Sequence, residues 1–223
     1  MTHAFGIVFF PYTAPGDDGP AGIAGPPGPS GPPGSPAISG GTTYVRWGKT
    51  ACPNVTGTEL VYAGITAGSF FDRGGGANYI CTVNGDDVEY HPEATTTDAN
   101  VARLYGTEYQ IESGQALFSL HQHNAPCAVC EVTSRSKQIM IPGRYTCPDT
   151  WTVEYSGWLM TINENNRRTT FICVDKNPEA IAGREANNNG ALLYHVEGYC
   201  GTGQLPCPGY DGTKEMSCVV CTK

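Results

Sequence analysis

The 223-residue chain carries 21 acidic against 13 basic residues, a formal net charge of -8, and ten cysteines. An acidic chain without a Lys/Arg cluster is repelled by a phosphate backbone, which argues against a nucleic-acid partner. Its longest unbroken apolar run, Ile7 to Phe10, is far too short for a bilayer span, so no membrane partner is expected.

The chain opens with MTHAFGIVFFPYTAP, residues 1–15, which has an apolar centre but neither a basic start nor a small-x-small cleavage site. It reads as a leader or a partial signal segment. Residues 16–36 then run GDD-GPA-GIA-GPP-GPS-GPP-GSP, seven uninterrupted Gly-X-Y triplets. Only glycine fits at the crowded axis of three close-packed polyproline-II strands, so strict phase here implies three chains and a rod of roughly 60 Å. Pro27, Pro33 and Pro36 occupy Y positions, where hydroxylation strengthens such a helix. Residues 37–43 break the phase and are expected to act as a hinge.

Beyond the hinge, residues 44–223 repeat themselves. GKTACPNVTGTELVYAG from Gly48 is answered by GRYTCPDTWTVEYSG from Gly143, NYICTV from Asn78 by TFICVD from Thr170, and PCAVC by SCVVC. The cysteine steps 52 to 81, 81 to 127 and 127 to 130 are 29, 46 and 3 residues, against 26, 45 and 3 for the steps 147 to 173, 173 to 218 and 218 to 221. Matched intervals with matched flanks identify two halves, 44–135 and 136–223. TYVRW, ELVYAGI, NYICTV, ALFSLH, KQIMI, TVEYSGWLM, TFICVD and ALLYHVEGY are short, β-branched or aromatic, and bounded by turn residues, which predicts an all-β domain. Only NPEAIAGREANN (177–188) offers a helical turn or two.

Ten cysteines among Gly-, Pro- and Thr-rich segments favour an oxidising compartment and secretion. A zinc ribbon built from Cys127, Cys130, Cys218 and Cys221 would need about 15 to 20 residues between its pairs, far fewer than separate these. A redox role calls for a strand-to-helix context, and the residues after Cys130 look extended. The duplication instead predicts pairing within each half, repeated in the other. Cys200 and Cys207 have no counterpart and should close a local loop, while Cys127 and Cys130 need distant partners, leaving Cys52 and Cys81.

His121 and His123 would share one face if LFSLHQH were a strand, and three copies around an axis could then hold a divalent transition metal. Two hydrogen-bonded or solvent-facing histidines are the plainer alternative, and no cofactor is required. Asn54-Val55-Thr56 is a glycosylation acceptor in a loop. Gly74 to Gly76 lack the Lys-Ser/Thr of a phosphate loop and read as a tight turn. Asp86, Asp87 and Glu89 read as a solvated acidic loop. There is no nucleophile-elbow or His-Glu-x-x-His motif, and no cysteine stays free if all ten pair, so no enzyme is expected.

The run PCAVCEVTSRSKQIMIPGRYTCPDTWTVEYSGWLM, 126–160, resembles the joint between the halves of the C-terminal non-collagenous domain of type IV collagen, and SCVVCTK resembles that domain's end. With TTYVRWGKTACP, LVYAGITAGS, GGGANYICTV, YGTEYQI and LHQHNAPCAVC, the pattern is most similar to the spongin-type short-chain collagens. The resemblance implies pairing of Cys52 with Cys130, Cys81 with Cys127, Cys147 with Cys221, Cys173 with Cys218 and Cys200 with Cys207. It further implies an all-β homotrimer with strands exchanged between neighbours, open to higher assembly and contact with other matrix components. The function so implied is structural, in matrix, attachment material or filament. The rival reading is a collagenous recognition protein, whose three heads bind ligand multivalently, with Trp47, Trp151 or Trp158 lining a sugar site.

Overall fold

The computed structural model describes residues 11–31, 40–92 and 101–223. It separates into two units, Met1–Ala37 and Ile38–Lys223. In the first, the described residues are exposed and without regular secondary structure, Pro27 among them. Pro33 and Pro36 lie outside the described residues, as do residues 37–39 of the expected hinge.

The second unit is all-β, as the β-branched and aromatic segments between turn residues predict. Its first half contributes β1 (Thr42–Trp47), β2 (Thr58–Gly68), β3 (Ile80–Val83), β4 (Tyr105–Tyr109) and β5 (Pro126–Val132). Its second half contributes β6 (Gln138–Pro142), β7 (Thr152–Thr161), β8 (Ile172–Asp175), β9 (Ala191–His195) and β10 (Ser217–Thr222). The pairing path is β6-β10-β7-β8-β1-β5-β2-β4-β9, with β3 attached to β2 and β9 also paired to β7. Each Cys-x-x-Cys segment is therefore a central strand, β5 between β1 and β2, and β10 between β6 and β7.

The two halves match in register. Gly64 stands opposite Cys127 and Val83, and Gly157 opposite Cys218 and Asp175. Both strands carry a bulge at the same place, next to Val61 in β2 and Glu154 in β7. A Cβ on Gly64 would collide with the Thr82 carbonyl, and one on Gly157 with the Val174 carbonyl. Glycine is thus required by close backbone approach at both positions.

Three expectations change. β1 begins at Thr42, inside the stretch assigned to the hinge, because Gly41 already packs against β5, where an added Cβ would meet Val132 O at 2.7 Å. Residues 177–188 form no helix. The N–H groups of Glu179 and Ile181 bond instead to Gly48 O and Asn124 O, which draws the segment across the sheet. LFSLH is not a strand either, as described below.

Two core clusters hold the domain. One gathers Tyr44, Cys130, Val132, Tyr155, Cys173 and Cys218, and the other Tyr79, Tyr109, Ile111, Met160, Val174 and Leu193. Each such buried side chain contributes roughly 1.5–3 kcal/mol relative to exposure.

Candidate functional site

The most elaborate side-chain arrangement lies where the halves meet, along β1 and β8. These strands run parallel and touch at Trp47 and Val174. Arg46, one position earlier, places Nε 2.9 Å and Nη2 2.6 Å from Asp175 Oδ2, while the other Asp175 oxygen accepts the Asn177 N–H. The Tyr155 hydroxyl reaches the carbonyls of Cys173 (2.8 Å) and Val45 (3.0 Å), one from each half. Burial holds this phenol well above its ordinary pKa, so it stays a donor.

Past the strand end, the 177–181 segment clasps the first half. Glu179 accepts bonds from Lys49 Nζ (2.8 Å), Thr50 Oγ1 (2.8 Å) and Thr50 N (3.0 Å), and donates its own N–H to Gly48 O. Partial burial alone would raise the Glu179 carboxyl, but the Lys49 and Thr50 hydrogen bonds and the Lys49 charge bring it below the ordinary carboxylate value. Gly48 sits at φ +81, with Pro178, Val174 and Tyr109 where a Cβ would go.

A second polar centre is buried behind the bulge in β7. The Glu154 carboxylate accepts Arg135 Nη2 (2.8 Å) and Thr222 Oγ1 (2.6 Å) on one oxygen, and Tyr44 Oη and Thr58 Oγ1 (both 2.9 Å) on the other. Its side chain is fully shielded. Every lone-pair direction of this buried anion therefore has a partner, the condition under which such a charge is tolerated. Val61 occupies the matched place in β2 and is exposed.

Five disulfides join Cys52 to Cys130, Cys81 to Cys127, Cys147 to Cys221, Cys173 to Cys218 and Cys200 to Cys207, and no cysteine is free. The odd spacing within each Cys-x-x-Cys sends its two sulfurs to opposite faces of the central strand. One bond then reaches past the paired strand β2 or β7 to β3 or β8, and the other reaches the loop after β1 or β6. Such bonding belongs to an oxidising, extracellular setting. Among the described residues no helix is long and apolar enough to cross a membrane.

His121 and His123 do not project from a strand. Leu117 and Gln122 both have left-handed φ, and Phe118–Leu120 is a single 3-10 turn closed by bonds from the Leu120, His121 and His123 N–H groups to carbonyls three residues back. His121 Nδ1 accepts the Ile111 N–H at 3.2 Å, and His123 Nδ1 lies 3.0 Å from His121 O. Among the described residues no three His, Cys, Asp or Glu side chains converge as a metal group. Asn54 is exposed in a loop, Asp86 and Asp87 sit in the exposed 3-10 turn Gly85–Asp87, and Glu89 is exposed beside them. Trp47 and Trp158 are half-buried against the second core cluster. Gly74 to Gly76 line a small cavity of about 80 Å³ with Ser69, Arg73 and Arg167.

Sequence reasoning missed the Arg46–Asp175 and Arg135–Glu154 pairs. A signal existed for the second: aligning the halves sets Glu154 against Val61, a carboxylate where its repeat is apolar. No family model matches this chain, and no curated protein matches it.

Proposed function

We propose that this chain is a secreted, homotrimeric, short-chain collagen-like structural protein, in which the duplicated β domain selects and registers three chains of the Gly-X-Y segment. One observation carries the reading. A Cβ built on Gly16, Gly19, Gly22, Gly25, Gly28 or Gly31 meets no atom within 4 Å, and none of these residues has a positive φ. Nothing within a single chain calls for glycine at these places, whereas packing three chains about one axis calls for it at every third residue. Seven triplets alone make a weak trimer, so a stapled domain that brings three chains together supplies what the short rod lacks.

The test is sedimentation of the full chain together with its circular dichroism. Three chains and a triple-helix signal that Gly25→Ala abolishes are expected. A stable monomer at micromolar concentration overturns the reading.

A further inference from the structure

The chain has twelve tyrosines, and the fold uses them unequally. Tyr44, Tyr79, Tyr109 and Tyr155 are buried, and their hydroxyls donate to Glu154, to the carbonyls of Leu192 and Glu179, and to those of Cys173 and Val45. Tyr90 is the opposite case. It is 82% exposed, and residues 88–91, which follow the Gly85–Asp87 3-10 turn, belong to no strand or helix. Val88 leaves that turn at φ -77 and ψ 121, so the chain enters this stretch extended, with the turn residues Gly85 and Pro92 to either side.

The carboxylates beside Tyr90 have no basic counterpart. Asp86, Asp87 and Glu89 fill three of the four preceding positions and are exposed, and no Lys or Arg occurs between Arg73 and Arg103. Among the described residues none of the three carboxylates forms an ion pair. A phenol standing in open chain beside uncompensated carboxylates is the complement of an enzyme whose peptide groove is basic.

No other exposed tyrosine combines these features. Tyr12 has no carboxylate nearer than Asp17, and Tyr145 follows Arg144 and lies two residues from Cys147. Tyr199 adjoins Cys200, and Tyr210 lies three residues past Cys207, in the loop that this disulfide closes. The disulfide cysteine nearest to Tyr90 in sequence is Cys81, nine residues back, which leaves the stretch free to lie along a groove.

We infer that Tyr90 is a site of tyrosine O-sulfation, recognised through Asp86, Asp87 and Glu89. In the transfer, the phenolic oxygen attacks the sulfur of a nucleotide phosphosulfate. An aryl O–S bond forms, the anhydride O–S bond breaks with its electron pair leaving on the nucleotide phosphate, and the phenolic proton passes to a base of the transferase. No electron changes hands. The product adds one permanent negative charge to a chain of formal net charge -8, placed where three carboxylates already stand, and so strengthens the loop as a docking point for cationic groups.

This inference rests on the secretion reading, and the experiment separates the two. Full-length wild type, Tyr90→Phe and the triple variant Asp86→Asn/Asp87→Asn/Glu89→Gln are expressed in cultured animal cells fed radiolabelled sulfate, with non-reducing peptide maps to verify folding. Secreted wild type should yield tyrosine sulfate on alkaline hydrolysis and carry one acid-labile SO₃ group on the Tyr90 peptide. Tyr90→Phe should lose that label entirely, and the triple variant should lose it at least tenfold. A secreted, correctly bonded wild type with Tyr90 unmodified, or with an acid-stable phosphate in its place, overturns the site, and a triple variant labelled like wild type overturns recognition through the acidic loop. A chain retained in the cell removes the secretion reading instead. The purified full chain, offered to a tyrosine sulfotransferase with nucleotide phosphosulfate, then decides the site: transfer to Tyr90 upholds it and no transfer overturns it.

Discussion

Tyr62 and Tyr155 make the same hydrogen bond from matched places in the two halves, each hydroxyl 2.8 Å from a disulfide cysteine's carbonyl, Cys81 and Cys173 respectively. Only Tyr155 also reaches the opposite half, at Val45 O. Tyr155→Phe leaves two carbonyls short of a donor in a buried setting and should cost about 1–3 kcal/mol, while Tyr62→Phe in the monomer should cost about 1 kcal/mol. Urea unfolding of the two variants, with disulfides intact, checks the order. Equal losses would show that the cross-half bond adds nothing.

Glu154 should be the most sensitive charge in the domain. Glu154→Ala strands Arg135 in a part-buried site and removes the acceptor of Tyr44, Thr58 and Thr222, a change expected to cost about 3–5 kcal/mol. Replacing both partners, Arg135→Met with Glu154→Leu, should recover a large part of that loss. Thermal melts of the single and double variants measure it directly.

Gly64→Ala and Gly157→Ala should each destabilise on the order of 3 kcal/mol or more, since the added methyl meets a backbone carbonyl on the next strand and neither strand can give way alone. Ala at Gly114, φ +95 and unobstructed, should cost less, so the contrast isolates the clash from general glycine effects.

The staples should differ in worth with the loops they close. Cys81–Cys127 spans 46 residues and Cys200–Cys207 only 7, so removing the first pair should cost about 4 kcal/mol and the second about 2.5 kcal/mol on loop-entropy grounds. Paired Cys→Ala variants, compared by denaturant midpoint, give the ranking.

His195 supplies a pH dependence. Its ring packs edge-on to Trp158 at 5.2 Å and its Nε2 lies 3.2 Å from Ala116 O. Burial lowers its pKa below the ordinary 6.5, against the opposing pull of the Ala116 carbonyl and Glu215. The unfolded chain therefore takes up the proton first as pH falls. Stability should be undiminished above pH 6.5 and decline below it, until the lowered folded pKa is passed. Melting temperature followed from pH 7.5 to 5.5 should show this slope in wild type and a flatter one in His195→Gln, above the range where the carboxylates begin to titrate.

The all-β character, the division into two halves and the restriction of cysteine pairing to those halves were all legible in the sequence. Each is a repeated or compositional signal: β-branched segments between turn residues, and equal cysteine intervals that survive divergence of everything between them. Local signals failed where a distant partner decides the backbone. LFSLHQH has strand composition, but Leu117 and Gln122 turn left-handed and the Ile111 N–H claims His121. Likewise 177–188 has helical composition, but its N–H groups are spent on Gly48 and Asn124. The sequence by itself determined that the domain is built twice, because duplication is written in spacing. Which half meets which, through Arg46 and Asp175 and the shielded Glu154, only the tertiary structure decided, because an ion pair's worth depends on the water removed around it and on partners more than a hundred residues away.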